Sequence, residues 1–140
     1  MDALSRIAAG RYGVVTIGEA EKCGVTRAQV RTLIRQGQWM RPRSGILVSS
    51  SAAASWMQQC AIASMASRGI LSCRTAGFIH GLDGISDPPI EVTIPSSQNR
   101  PAGPWVIHRA DNLVAADTVK VKGLHVTSLA RTLVDLGSVA

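Results

Sequence analysis

Arg27, Arg31 and Arg35 recur at every fourth residue, a spacing that stacks like charges on one side of a helix and costs a few tenths of a kcal/mol per pair. A bound anion relieves that repulsion. Arginine's planar fork matches phosphate and the guanine edge bidentately. On a helical wheel Val30, Leu33, Ile34 and Gly37 gather within about 100° and form a core stripe. The opposite face carries Ala28, Arg31, Thr32 and Arg35, flanked by Gln29 and Gln36, with no acid. Arg27 sits beside the stripe, where its stem can pack while its head reaches a phosphate. Gln29 can pair with adenine. The chemistry on offer is polyanion binding.

Arg41 and Arg43 flank the rigid Pro42 and are expected to project toward a nucleic-acid backbone or minor groove. The charge excess is local. Residues 1–48 hold eight basic and three acidic side chains, whereas residues 49–140 hold seven and six. A confined positive field of this kind is the footprint of a polyanion partner. With only 4% aromatic residues, stacking on single-stranded bases has little to work with, so the partner predicted is double-stranded DNA.

No catalytic constellation competes with this. Cys23, Cys60 and Cys73 are widely spaced, and CxxC, CxxH and HExxH are all absent from the sequence. The cysteines are expected to be small interior residues of a reducing compartment, and neither a metal nor a cofactor is predicted. His80 precedes Gly81 at a predicted helix end, where a partly buried, backbone-bonded imidazole is expected. His108 and His125 each stand alone in strand-like stretches. No histidine has a nucleophile or carboxylate partner at a spacing that marks general acid–base work, so the chain is not expected to be an enzyme.

The elements that must hold the basic face are well punctuated. Asp2 can cap a short helix with Leu4, Ile7 and Ala8 on its apolar side, and Val14-Val15 reads as extended. Thr16-x-x-Glu19 and Thr26-x-x-Gln29 are two capping boxes in succession, closed by Gly24 and Gly37 as left-handed stops. Two apolar runs around Pro42-Arg43-Ser44-Gly45 read as a hairpin. Helix, helix, helix, hairpin is the order of a winged helix-turn-helix.

The small-residue run Ser49–Ser55 marks a seam, giving a DNA-binding head at 1–50 and a second, small mixed α/β domain at 55–140, so the fold class is α+β. In the second domain a helix over 55–67 shows an apolar face of Trp56, Met57, Cys60, Ala61 and Met65, and another runs from Cys73 to His80. Ile90, Val92 and Ile94 alternate with Glu91 and Thr93, a strand pattern. Trp105–Arg109 and Thr118–Lys122 look extended, with Val119 and Val121 inward. Thr127 or Ser128 caps a closing helix whose apolar side is Leu129, Leu133, Val134 and Leu136. At 140 residues, 46% apolar and 17% charged, the chain reads as a folded cytoplasmic protein without a secretory signal or a membrane span. Surplus apolar surface in this second domain favours a homodimer or a contact with another protein.

The run Gly24–Val30, followed by Gly37–Arg41 and Gly45–Val48, resembles the N-terminal winged domain of AbiEi-type antitoxins of type IV toxin–antitoxin systems. The likeness continues through Ala76–Leu82, Glu91–Pro95, His108-Arg109 and Ala130–Leu136. It implies a bacterial transcriptional repressor and antitoxin that binds DNA through Arg27, Gln29, Arg31, Arg35, Arg41 and Arg43, with a cognate toxin as partner; Ala28 and Thr32, on the same outward helix face, complete the expected DNA-binding set. Ala28 stands where relatives carry a longer polar residue, and Leu47 where an aromatic is frequent. The endonuclease-like C-terminal domain of some relatives is not expected here. Two other readings remain open: the DNA-binding part of a larger endonuclease-like protein, and a protein-interaction module with an incidental basic face.

Overall fold

The structure, a computed structural model, describes residues 3–85, 89–99, 101 and 103–139, without the Val139 side chain. The chain divides into two compact units, Met1–Ala66 and Ser67–Ala140. The Ser49–Ser55 seam therefore lies inside the first unit. Six α-helices and two sheets make the protein α+β.

The first unit runs α1 (Ala3–Ala9), β1 (Val14–Thr16), α2 (Ile17–Lys22), α3 (Arg27–Arg35), β2 (Trp39–Arg43), β3 (Ile46–Ser49) and α4 (Trp56–Ser67), α4 ending on the first residue of the second unit. Both capping boxes form. Thr16 Oγ1 accepts the Glu19 N–H at 3.1 Å while Glu19 Oε1 accepts the Thr16 N–H at 2.9 Å. Thr26 Oγ1 likewise accepts the Gln29 N–H at 3.1 Å and Gln29 Oε1 the Thr26 N–H at 2.8 Å. Gly24, at φ +84°, turns the chain between α2 and α3. The sheet order is β1-β3-β2, antiparallel throughout, so β1 joins the expected hairpin as a third strand. This is a winged helix-turn-helix. Its core is Leu4, Ala8, Val15, Ala20, Val30, Trp39 and Leu47, with Ile17, Val25, Leu33 and Ile34 packed against it.

Two expectations in this unit change. Ile7 is exposed while Leu4 and Ala8 are buried, because a helix of seven residues covers only a narrow stripe. Helix α4 has no single apolar face: the consecutive residues Cys60, Ala61, Ile62 and Ala63 are all buried. Gln58 is buried there too, its Nε2 donating to the Tyr12 carbonyl at 2.9 Å. The Asp2 cap lies outside the described residues.

The second unit contains β4 (Ile70–Leu71), α5 (Cys73–Ile79), β5 (Glu91–Ile94), β6 (Val106–Arg109), a 3-10 turn at Ala115–Asp117, β7 (Thr118–Val121), β8 (Leu124–Thr127) and α6 (Leu129–Val139). The sheet order is β6-β5-β4-β8-β7; β5–β6 and β4–β8 are parallel, the other pairs antiparallel. Strand β5 is buried on both faces, Glu91 and Thr93 included, so its chemical alternation does not mark a solvent side. Helix α5 lies on its polar face and satisfies it: Thr75 Oγ1 accepts the Glu91 N–H at 2.8 Å, and Thr93 Oγ1 donates to Ser72 Oγ at 2.7 Å.

On the edge strand β7, Val119 is exposed rather than inward. Ser128 caps α6, its Oγ accepting the Arg131 N–H at 3.2 Å, but of the expected apolar side only Leu136 is half-buried. Leu129, Leu133 and Val134 are exposed and Thr132 is fully buried. No helix among the described residues is long and apolar enough to cross a membrane.

Candidate nucleic-acid interface

The basic face is held by the local signals that make α3. The Thr26 box sets the first turn, Val30 enters the core, and Leu33 and Ile34 pack beside it. Arg27, Arg31 and Arg35 then follow one another around the solvent side, all exposed. That placement leaves the three side chains in water, where their charge adds to the field outside the protein.

A cleft of about 430 Å³ opens between α2, α3 and the wing, lined by Glu21, Arg27, Arg31, Arg41 and Ser44 over a floor of Ile17, Val25, Val30 and Ile34. Three of the expected arginines meet there. Pairing between β2 and β3 shifts register between Met40 and Arg43, a bulge at Arg41-Pro42 that suits proline's missing donor. Strand alternation would give Arg41 and Arg43 the same face; across the bulge Arg41 is exposed and Arg43 half-buried.

Ala28, Gln29 and Thr32 border a second, shallower depression of about 420 Å³ with Gly24, Val25 and Leu33. Two of these side chains already have partners. The Gln29 carbonyl oxygen accepts the Thr26 N–H, and the Thr32 hydroxyl donates back to the Ala28 carbonyl at 3.1 Å. Pairing with adenine uses both the oxygen and the nitrogen of a Gln amide, so Gln29 would read it only at the expense of its cap.

The electrostatics differ from residue to residue. Arg27 does not pack its stem: its side chain is 85% exposed, with Nε 3.8 Å from Glu21 Oε1. An exposed pair of this length contributes little. Arg11 and Glu19 form a tighter pair at 2.6 Å. Burial pushes the Glu19 carboxyl up, but the Thr16 amide and the Arg11 guanidinium outweigh it and hold the pKa below its ordinary value. Among the described residues, Arg31, Arg35 and Arg41 have no acidic partner. The sequence has no Asp or Glu between Glu21 and Asp83, which is why none lies near them along the chain.

The three histidines differ in their surroundings. His80 is bonded to the backbone as expected, its Nε2 2.8 Å from the Thr127 carbonyl. His125 is exposed on β8. His108 is not alone: its Nε2 lies 2.8 Å from Glu91 Oε1. Cys73, Glu91 and His108 bring donor atoms within 4.8 Å of one another. Sequence reading had no handle on this trio, whose members come from α5, β5 and β6 and meet only through the parallel β5–β6 pairing. Cys23, Cys60 and Cys73 are free thiols, and burial pushes Cys60 up to about 12 and Cys73 up to about 11.

Residues 2–49 match the sequence model of a family described as "Transcriptional regulator, AbiEi antitoxin". The match ends where β3 ends, so it covers the winged head and leaves α4 and the second unit outside. Among solved structures, the crystal structure of the RV2827C protein from Mycobacterium tuberculosis is similar at 22% identity and a TM-score of 0.45, over 76% of this chain and 43% of that one. This chain thus spans less than half the length of that protein. No curated protein matches it.

Proposed function

We propose that the chain is a sequence-specific double-stranded-DNA-binding regulator, a repressor and antitoxin of a type IV toxin–antitoxin-like system. The observation that carries this is the exposed set Arg31, Arg35 and Arg41, which has no acidic partner among the described residues, on a head whose sequence matches a transcriptional-regulator family. In a helix-turn-helix the second helix enters the major groove with its first residues nearest the bases. Arg31 and Arg35 are the candidates for guanine, Arg27 and Arg41 for phosphate from the cleft, and Arg43 for a supporting contact at the wing. Ala28, Gln29 and Thr32 complete the surface. No catalytic role is proposed for this interface.

The second unit is assigned to assembly. Leu129, Leu133 and Val134 lie exposed on α6, and covering them in a symmetric dimer would place two heads on a palindromic or repeated operator; a cognate toxin is the other partner of that face. Selection of duplexes from a random pool at near-physiological salt tests the whole reading. A recovered consensus whose log affinity falls steeply with log salt is expected. Failure to enrich any sequence would overturn it, and a strict monomer with and without the selected duplex would remove the dimer.

A further inference from the structure

We propose that Cys73, Glu91 and His108 form a binding site for a divalent transition metal of the zinc class. The site is built by the second unit's topology. In the parallel β5–β6 pair His108 is in register with Thr93, and Glu91, two residues before Thr93, shares its face of β5. The start of α5 is pinned over that face: the Ser72 N–H donates to the Glu91 carbonyl at 3.1 Å, and the Arg74 N–H to Glu91 Oε2 at 3.0 Å. Cys73, between those two anchors, has φ +54°, a left-handed conformation that a β-carbon disfavours. The three donors converge within 4.8 Å. Bonds of about 2.0–2.3 Å to a tetrahedral zinc ion need donors roughly 3.3–3.8 Å apart, so modest side-chain shifts close the site.

The donor set suits the ion. One thiolate and one carboxylate neutralise a divalent charge, and thiolate with imidazole selects zinc-like metals over magnesium or calcium. Arg74 steadies the carboxylate from outside, its backbone N–H on Oε2 and its guanidinium Nη1 3.7 Å from Oε1. Such partners orient a metal's ligands. Cys73 and Glu91 are buried, while the His108 side chain is 30% exposed, which gives the metal an entry path and leaves a fourth position toward solvent. On binding, the Cys73 S–H bond breaks, its proton leaves to solvent, and sulfur's electron pair forms the metal bond. The proton now shared between His108 Nε2 and Glu91 Oε1 leaves to solvent or is retained on Nδ1, so that a neutral imidazole offers its Nε2 lone pair and Glu91 stays a carboxylate.

The test uses the full chain, reduced and stripped with chelator, and titrated with Co²⁺ and then Zn²⁺. Expected are about one Co²⁺ per chain, a near-ultraviolet thiolate-to-cobalt band, displacement by Zn²⁺, and a raised Tm with Zn²⁺. Cys73→Ser should abolish the band, and it and His108→Ala should each weaken Zn²⁺ binding on the order of 100-fold. His125→Ala, at an exposed histidine outside the cluster, should change neither. A folded wild-type chain without the thiolate band would overturn the site and leave the trio a buried hydrogen-bond network. So would a band that persists in folded Cys73→Ser, which would point to Cys23 or Cys60. Should Cys73→Ser fail to fold, the wild-type cobalt spectrum together with the half-exposed His108→Ala decides the matter.

Discussion

Helices α3 and α6 both carry an apolar stripe, and the protein uses them in opposite senses. Helix α3 turns Val30 into the core and its arginines to water. Helix α6 leaves most of its stripe outside: Leu129, Leu133 and Val134 are 47%, 54% and 66% exposed, Leu136 is half-buried, and the fully buried side chain is Thr132. The Thr132 hydroxyl donates to the Ser128 carbonyl at 2.7 Å and lies 2.7 Å from the Thr127 hydroxyl. Arginine is used just as differently. Arg131 is held by Asp135 at 2.9 Å and lies 3.7 Å from Asp117, whereas Arg31 and Arg35 have no acidic partner among the described residues. Residue type names the chemistry available; the neighbours decide whether it is spent inside the fold or offered outside.

The sharpest way to break this contrast is to remove the arginines from each helix. Arg31→Ala with Arg35→Ala should weaken duplex binding by about 1–3 kcal/mol for each bidentate arginine–base pair removed. The salt slope should flatten by about one for each phosphate no longer neutralised. The double variant should keep the wild-type Tm. Arg131→Ala should do the opposite, lowering Tm and leaving gel-shift affinity unchanged. Equal DNA affinity in the folded double variant would end the assignment of α3.

Burial gives the next contrast. Thr132→Val leaves the Thr127 hydroxyl short of a buried partner and should cost about 1–3 kcal/mol in urea unfolding. Leu133→Ala, although it deletes more apolar surface, should stay within about 0.5 kcal/mol. If α6 forms the dimer contact, Leu133→Asp should also lower the sedimentation coefficient of the full chain without unfolding it.

Smaller effects separate local from tertiary support within the head. Thr26→Ala removes one side of the α3 cap and should cost about 1 kcal/mol, with a matching loss of DNA affinity if Arg27 and Gln29 rely on that first turn. Glu19→Gln should cost less still, and its effect is tied to pH. Because the folded-state pKa of Glu19 is depressed, its contribution is fully present above the ordinary value of 4.5 and fades as pH falls through the folded value. The Tm gap between wild type and Glu19→Gln should therefore narrow in acid.

The head was legible in the sequence because its instructions are local. Capping boxes at Thr16 and Thr26, the glycine stops and the Pro42 turn each act over three or four residues, and together they placed α2, α3 and the wing. The basic face followed, since Arg27, Arg31 and Arg35 lie on one helix and helical periodicity alone brings them together. Val14-Val15 read as extended, but its place as a third strand beside β3, like the bulge that sets Arg41 apart from Arg43, came only with pairing between strands.

In the second unit periodicity marked most elements and misjudged their sides. Which face of α6 is covered depends on α5 and β8, and whether Glu91 meets solvent depends on α5 lying over β5. Cys73, Glu91 and His108 are strangers along the chain, and only strand register and the strand-to-helix turn after β4 make them neighbours. Short-range hydrogen bonding and helical geometry are written residue by residue, so sequence determined the head and its charge. Burial and convergence are properties of surfaces meeting across the fold, and only the tertiary structure decided them.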